Sequence, residues 1–341
     1  MTMLYGNQWL RFAAAVLLAL CGLSVSAEPV KLKMSHFLGP QSFFQVDLVE
    51  PWARELERRT GGRVRVEVLN AASPLGNVRN QAAQVQEGVV DIALGLRGAE
   101  GERFSRSSII ELPFVVSDAA RGSQALWGLF QQGILADEYR DFKVLALFVQ
   151  NPGLIHTKAT PVRELSDLKG LRLRVPNATV ATALEHVGAL PRLLQPDEIV
   201  AALRSNQLDG IVTNWGTPIA GFNDETTWHT SVPFYASAFF IVMNRKRYDS
   251  LPADVRQAID SLSGDALVAR FGPLWDQWDK PLHDQAVALG RTILQPDADA
   301  LQRWKSGLQP MSDAYVKMLE SKGFHDARRV YEQLLAGSAR R

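Results

Sequence analysis

The stretch from Asp167 to Gly188 constrains the fold of this chain more than any other, because it spells a strand, a stop and a helix in one run. Leu171, Leu173 and Val175 alternate with Arg172 and Arg174, the period-2 pattern of a strand with one apolar face. Pro176 has no N–H to give a ladder and ends the strand. Asn177 is placed to N-cap a helix over about Ala178 to Val187, and Gly188 to stop it. An arginine at a strand end, just ahead of a helix's first amides, is a ready clamp for an anion. Arg174 stands nearer that end than Arg172 and is the better candidate. A solvent-facing basic strand edge is the alternative reading.

The same alternation runs along the chain. Val30 to His36, Arg63 to Leu69, Val89 to Leu94, Val144 to Val149, Leu208 to Thr213 and Ser237 to Met243 read as strands. Between them, Phe43 to Arg59 (Phe44, Leu48, Trp52 and Leu56 at four-residue spacing), Asn77 to Glu87, Asp118 to about Gln132 and Pro196 to Leu203 read as helices. Residues 265–289 read as one long helix kinked by Pro273 and Pro281, and residues 310–337 as two helices separated by Lys322-Gly323. Such alternation predicts α/β architecture with mixed, mostly parallel sheets. A length of 341 residues exceeds what one hydrophobic core usually supports, so two lobes are expected. Turn punctuation at Gln150-Asn151-Pro152-Gly153 marks the first crossing, and the apolar run from Ser237 the return. The division expected is 28–151 with 238–279 in lobe 1, and 152–237 with 280–341 in lobe 2. Ligands bind beyond the carboxyl ends of parallel strands. Those ends are His36/Phe37, Gly95 to Arg97, Gln150/Asn151, Arg174 and Thr213 to Trp215.

The first 27 residues form a separate segment. Arg11 precedes the apolar run Phe12 to Leu20, which is too short to span a membrane, and Val25-Ser26-Ala27 supplies the small residues of a cleavage site before Glu28-Pro29. This is a secretory signal, and it implies a periplasmic location. The single cysteine, Cys21, lies inside it, so the mature chain has neither disulfide nor thiol nucleophile. Lipidation of Cys21 is the alternative, but Leu20 before it is bulkier than such sites prefer. No later stretch is long and apolar enough to embed the protein in a membrane. A net charge of +1 leaves no electrostatic footprint for nucleic acid.

Catalytic signatures are missing. There is no Gly-x-Ser-x-Gly elbow, phosphate loop, dinucleotide fingerprint or His-Glu-x-x-His pair, and the glycines at 95, 98 and 101 are wrongly spaced for a nucleotide. The six histidines (His36, His156, His186, His229, His283 and His325) lack metal-ligand spacing. Glu111 and Glu198 read as structural or capping carboxylates rather than an acid–base pair. Binding without chemistry, and without a cofactor, is the expectation.

A set of short motifs carries a family resemblance. In order these are Thr60-Gly61-Gly62-Arg63-Val64, Ser73-Pro74-Leu75-Gly76, Glu87-Gly88-Val89-Val90-Asp91-Ile92, Leu112-Pro113-Phe114, and Asp167 to Pro176. Later come Glu198 with Ala202-Leu203, Asp209-Gly210, Met243-Asn244 and Leu251-Pro252. The chain resembles the extracytoplasmic substrate-binding proteins of TRAP transporters, of the dicarboxylate-binding type.

That resemblance implies a two-lobed periplasmic-binding-protein fold with crossing strands and a long helix spanning both lobes. It implies closure around a small organic acid, which is then handed to the sodium-coupled TRAP membrane permease. The arginine at the place of Arg174 pairs with the ligand carboxylate, and fork geometry suits that role. Thr213 and Asn214 follow the Asp-Gly pair where relatives touch ligand, Asn77 takes the place of an acidic residue, and Arg97 lies in a loop that can line the cleft. Leu154 stands where many members carry a second arginine, which favours a monocarboxylate. Trp215, Phe37 and Phe239 would then offer an apolar or aromatic wall, with core packing as the alternative for each. A sensory receptor, or an enzyme on the same fold, are the competing functions.

Overall fold

The structure, a computed structural model, describes residues 28–338 apart from 195, 218 and 220. The expected signal segment and Cys21 lie outside the described residues. In chain order the strands are β1 (Val30–His36), β2 (Val64–Leu69), β3 (Ile92–Leu96), β4 (Phe142–Val149), β5 (Gly153–Thr157), β6 (Arg172–Val175), β7 (Leu190–Leu193), β8 (Gly210–Thr213), β9 (Trp228–Tyr235), β10 (Ala238–Asn244) and β11 (Thr292–Leu294). They build two sheets, five-stranded β2-β1-β3-β10-β4 and six-stranded β11-β9-β5-β8-β6-β7. In the first, β1, β2 and β3 are parallel and β10 runs antiparallel between β3 and β4. In the second, β6, β7 and β8 are parallel, β11 is parallel to β9, and β5 runs antiparallel between β8 and β9. Both sheets are therefore mixed.

Two segments carry the chain between the sheets. β4 passes through Gln150 to Pro152 into β5, and β9 passes through Ala236 and Ser237 into β10. They run side by side: Val149 pairs with Ala238, Gly153 with Tyr235, and Gln150 N donates to Ser237 O at 3.2 Å. The helices that frame the site are α1 (Glu50–Arg59), α2 (Gln81–Gln86), α3 (Ala119–Gln131), α4 (Ala178–His186), α5 (Pro196–Arg204), α6 (Phe271–Ala288), α7 (Ala298–Ser321) and α8 (Ala327–Ser338). α6 is a long helix shared by both lobes. It packs on α3 at one end and on β11 at the other, and Trp278 Nε1 donates to Asp47 Oδ2 at 2.8 Å while Asp279 accepts from Asn214 at 2.9 Å. α8 packs on α3 and on the tight Ser107–Glu111 turn, elements attached to the first sheet. No helix among the described residues is long and apolar enough to cross a membrane.

Several boundaries differ from the sequence reading for local physical reasons. The stretch 265–289 is two helices, Asp265–Val268 and α6. Pro273 thereby falls in the first turn of α6, where a missing N–H costs nothing, and only Pro281 lies in the interior. α7 begins at Ala298, capped by Asp297 Oδ1 on Ala300 N at 2.8 Å, and runs through Pro310 rather than starting there. The helix expected from Asn77 starts at Gln81, because Asn77 Oδ1 accepts from Arg79 N at 2.9 Å and forms a turn instead. β5, β7, β9 and β11 were not legible. β7 and β9 contain Pro191 and Pro233, and β9 tolerates its proline because the β5–β9 register shifts between Gly153 and Ile155.

Candidate ligand-binding site

β6 has the alternation that its sequence predicts, with Leu173 and Val175 fully buried. Its two arginines have different fates. Arg172 forms a two-point fork on Asp209, Nε to Oδ2 at 2.9 Å and Nη2 to Oδ1 at 2.6 Å, in a partly exposed position. Arg174, at the end of the strand, is only 8% exposed, and its Nε donates to Leu194 O at 3.3 Å. It has no carboxylate partner among the described residues. Burial lowers its pKa, opposed only by the nearby Tyr235 hydroxyl, yet a guanidinium keeps its proton in a protein. A charge buried without a counter-charge is costly, and buried charges are almost always paired.

Arg174 lines a cavity of about 710 Å³. One wall comes from the first sheet's loops: Phe37 and Leu38 after β1, Gly76 to Arg79, and Leu96, Gly98 and Ala99 at the end of β3. The other comes from Arg174, Pro176 to Ala178, Leu193 and Leu194, at the ends of β6 and β7. The carboxyl ends of parallel strands from both sheets thus meet at one space. Its lining holds Arg79 and Arg174 and, among the described residues, no acidic side chain. Asn177 caps α4 as expected, its Oδ1 accepting from Val180 N at 3.0 Å, and its Nδ2 has no partner. The N-terminal end of α4 adds the positive end of its dipole to the same wall. Donors and positive charge therefore dominate the polar part of the cavity, while leucines, Phe37 and Pro176 supply the rest. Such a surface suits an acceptor-only head on an apolar body.

The eight residues singled out by sequence separate into three groups. Phe37 and Asn77 join Arg174 at the cavity. Thr213 and Asn214 are buried at the end of β8: Thr213 O faces His156 Nε2 at 3.0 Å, and Asn214 donates to Asp279, which also accepts from Asn151 at 2.9 Å. Arg97, Trp215 and Phe239 are engaged elsewhere. Arg97 is ion-paired with the fully buried Glu111, whose other oxygen accepts from Ala238 N at 3.0 Å. Phe239 stacks on Phe148 at 5.1 Å within the first lobe's aromatic core. Trp215 packs in the second lobe's smaller core, which also holds Leu154, with ring centroids 4.8 Å from His229 and 4.9 Å from His156. For these two aromatics the core reading describes what the side chains touch.

Two residues near Arg174 escaped the sequence reading. The Tyr235 hydroxyl has Gln150, Ser237, Thr213 and Arg174 as polar neighbours, so it sits where both crossing segments meet the arginine. Gly153 makes room for it, since a Cβ there would stand 1.9 Å from the ring. Gln150 is buried, and its Nε2 lacks a partner. Tyr235 was hidden because β9 was hidden, whereas Gln150 was visible as a strand end but carried no motif. Of the histidines, His36 bonds Gln45 Oε1 at 3.1 Å, and His156 and His229 face each other through their Nδ1 atoms at 2.7 Å. Among the described residues no cluster of three or more histidine, cysteine or acidic side chains could hold a metal ion.

Comparison with known proteins decides the family. Residues 34–318 match the bacterial extracellular solute-binding proteins of family 7. The chain belongs to this family. It is 30% identical over 320 residues, covering 92% of this chain and 93% of the relative, to the outer membrane transporter protein TsaT of Comamonas testosteroni. Its fold matches a TRAP solute-binding protein of Rhodoferax ferrireducens that copurified with benzoate, at TM-score 0.83 and 31% identity over 91% of this chain and 98% of that one. It also matches a marine metagenome TRAP solute-binding protein specific for aromatic acids, solved with 3-hydroxybenzoate, at TM-score 0.85 and 28% identity over 92% and 100% of the two chains. The two-lobed α/β fold is that of TRAP solute-binding proteins, a family of extracellular binding proteins that take small organic acids and work with TRAP permeases.

Proposed function

We propose that this TRAP solute-binding protein captures an aromatic monocarboxylate between its lobes, with Arg174 as the carboxylate anchor. The observation that carries the reading is a buried arginine with no counter-charge among the described residues, on the wall of the interlobe cavity. A ligand carboxylate supplies what the protein omits, and two oxygens fit the guanidinium fork. Asn177 and Asn77 are the remaining polar contacts, and Phe37, Leu96 and Leu193 the apolar wall around the ligand's body. Leu154 contributes no charge, consistent with a single carboxylate. Benzoate and 3-hydroxybenzoate in related structures support an aromatic body. Lobe closure removes water from the ion pair and so strengthens it.

The chain acts as a carrier and not as an enzyme, exported by its residues 1–27 to the periplasm and delivering its ligand to a TRAP permease. The lobes divide at Gln150 to Pro152 and at Ala236 to Ser237, with α8 returning to the first lobe. A thermal-shift screen tests the ligand class. Benzoate and hydroxybenzoates at a hundred times their Kd would stabilise the protein by about 2.7 kcal/mol, whereas succinate and malate would leave the melting temperature unchanged. A larger shift with the dicarboxylates would overturn the assignment.

A further inference from the structure

The first turn of α4 touches the other lobe at two points beside the cavity. At the first, Tyr315 on α7 donates its hydroxyl to Ser108 Oγ at 2.8 Å and lies 3.3 Å from Thr179 Oγ1. Ser108 Oγ in turn donates to the Ser105 carbonyl. Each hydroxyl has one proton to give, so the direction of the whole chain is fixed. Ser108 gives its proton to the carbonyl and accepts from Tyr315, which leaves Tyr315 Oη to accept from Thr179.

The ends of this relay belong to different lobes. Thr179 is in α4, which packs on β6 and β7. Ser108 is in the Ser107–Glu111 turn, which packs on β10. The helix that carries Tyr315 also runs across both. Near its start Trp304 Nε1 donates to Arg163 O at 3.1 Å, and just past its end Lys322 pairs with Glu102 at 2.7 Å. The second point of contact is Gly98 after β3. A Cβ there would stand 2.9 Å from Asn177 Cβ, closer than Cβ atoms are found, so only glycine lets the two walls approach this far.

We propose that Tyr315 is a positioning residue for ligand capture, the hub of a hydroxyl latch that holds the first turn of α4 against the first lobe, with Gly98 as the gap that allows the latch to close. Asn177 caps that turn and Arg174 precedes it by one short link, so the latch sets how Arg174 stands over the cavity. The inference rests on the reading of Arg174 as the carboxylate anchor. Loss of the latch lowers the population of the closed state, and apparent affinity falls with that population. Arg174 keeps its own contact with ligand, so the loss falls on release and not on encounter.

Interlobe distance provides the test, because it can be read without ligand. Glu87→Cys and Glu185→Cys place spin labels on exposed positions of the first lobe and of α4, and pulsed dipolar spectroscopy gives their separation. Tyr315→Phe and Gly98→Val should both move the distribution to longer distances. Tyr248→Phe, which removes a hydroxyl bonded within one lobe to Asp260 at 2.6 Å, should leave it in place. With benzoate as probe, Tyr315→Phe should release about fivefold faster, the worth of one neutral hydrogen bond, at an unchanged association rate. An unmoved distribution in Tyr315→Phe, or an equal shift in Tyr248→Phe, would overturn the latch. The anchor is judged separately: benzoate binding to Arg174→Met as tight as to the wild type would defeat the site reading, while the distance distributions would still decide the latch.

Discussion

Arg97 and Arg174 occupy corresponding places in the two lobes. Each stands at the carboxyl end of a parallel strand, Arg97 just past β3 and Arg174 within β6, and they are 6% and 8% exposed. What surrounds them differs. Burial works against the charge of Arg97, but Glu111 more than offsets this, and its pKa ends up raised. Burial acts on Arg174 without such an offset, and its pKa is lowered. The same side chain at the same depth is thus part of the protein's own framework in one lobe and an open valence in the other. Arg97 with Glu111 ties the end of β3 to the start of β10. Arg174 has been given a cavity in place of a glutamate.

That contrast predicts opposite responses to truncation. Arg97→Ala leaves the fully buried Glu111 without its counter-charge, a loss of about 3–5 kcal/mol of folding stability, measurable by urea unfolding. Arg174→Met removes a charge that no described residue pairs, so stability should stay level or rise. The same change should weaken benzoate binding by about a hundredfold, the scale of losing one partner of a buried ion pair. If Arg97→Ala unfolded no earlier than Arg174→Met, the two arginines would not differ in the way described.

The comparison also shows what sequence can and cannot carry. β6, its proline stop and the Asn177 cap were legible because each is a local pattern with a local cause. Arg174 could be singled out on that basis. Arg97 was a candidate because it lies at a strand end, in a loop that can line the cleft in relatives. What sets it apart from Arg174 is its ion pair with Glu111, placed by a fold that brings together residues fourteen positions apart. Trp215 and Phe239 were open for the same reason: an aromatic at a strand end reads alike whether it faces a cleft or a core. The crossing partner Tyr235 was invisible because the eight residues of β9 include a proline and two polar residues that are buried, His229 and Thr230.

Buried histidines extend the comparison to a base that can give up its charge. His156 Nε2 donates to Thr213 O, so its Nδ1 is the acceptor and His229 Nδ1 the donor between the two rings. Burial is the main cause that pushes His156 down to about 3 and His229 to about 4. Both folded values lie below the unfolded one of 6.5. The unfolded chain therefore binds more protons, and stability is complete above pH 6.5 and falls as pH drops toward 4 and 3. Each histidine should contribute a loss of about 2 kcal/mol by pH 5. A flat stability profile between pH 7 and 5 would show that the pair is not buried in neutral form. Arg174 has no such exit, and the proposed anchor role is what would give it a counter-charge.

The central claim is that this anion is a ligand carboxylate, and the most direct measurement varies the ligand and leaves the protein intact. Isothermal titration of the wild type with benzoate and with benzamide, which has the same shape and no charge, isolates the ion pair at Arg174. Benzoate should bind at least about a hundredfold more tightly. Equal affinity for the two, or tighter binding of benzamide, would contradict the account.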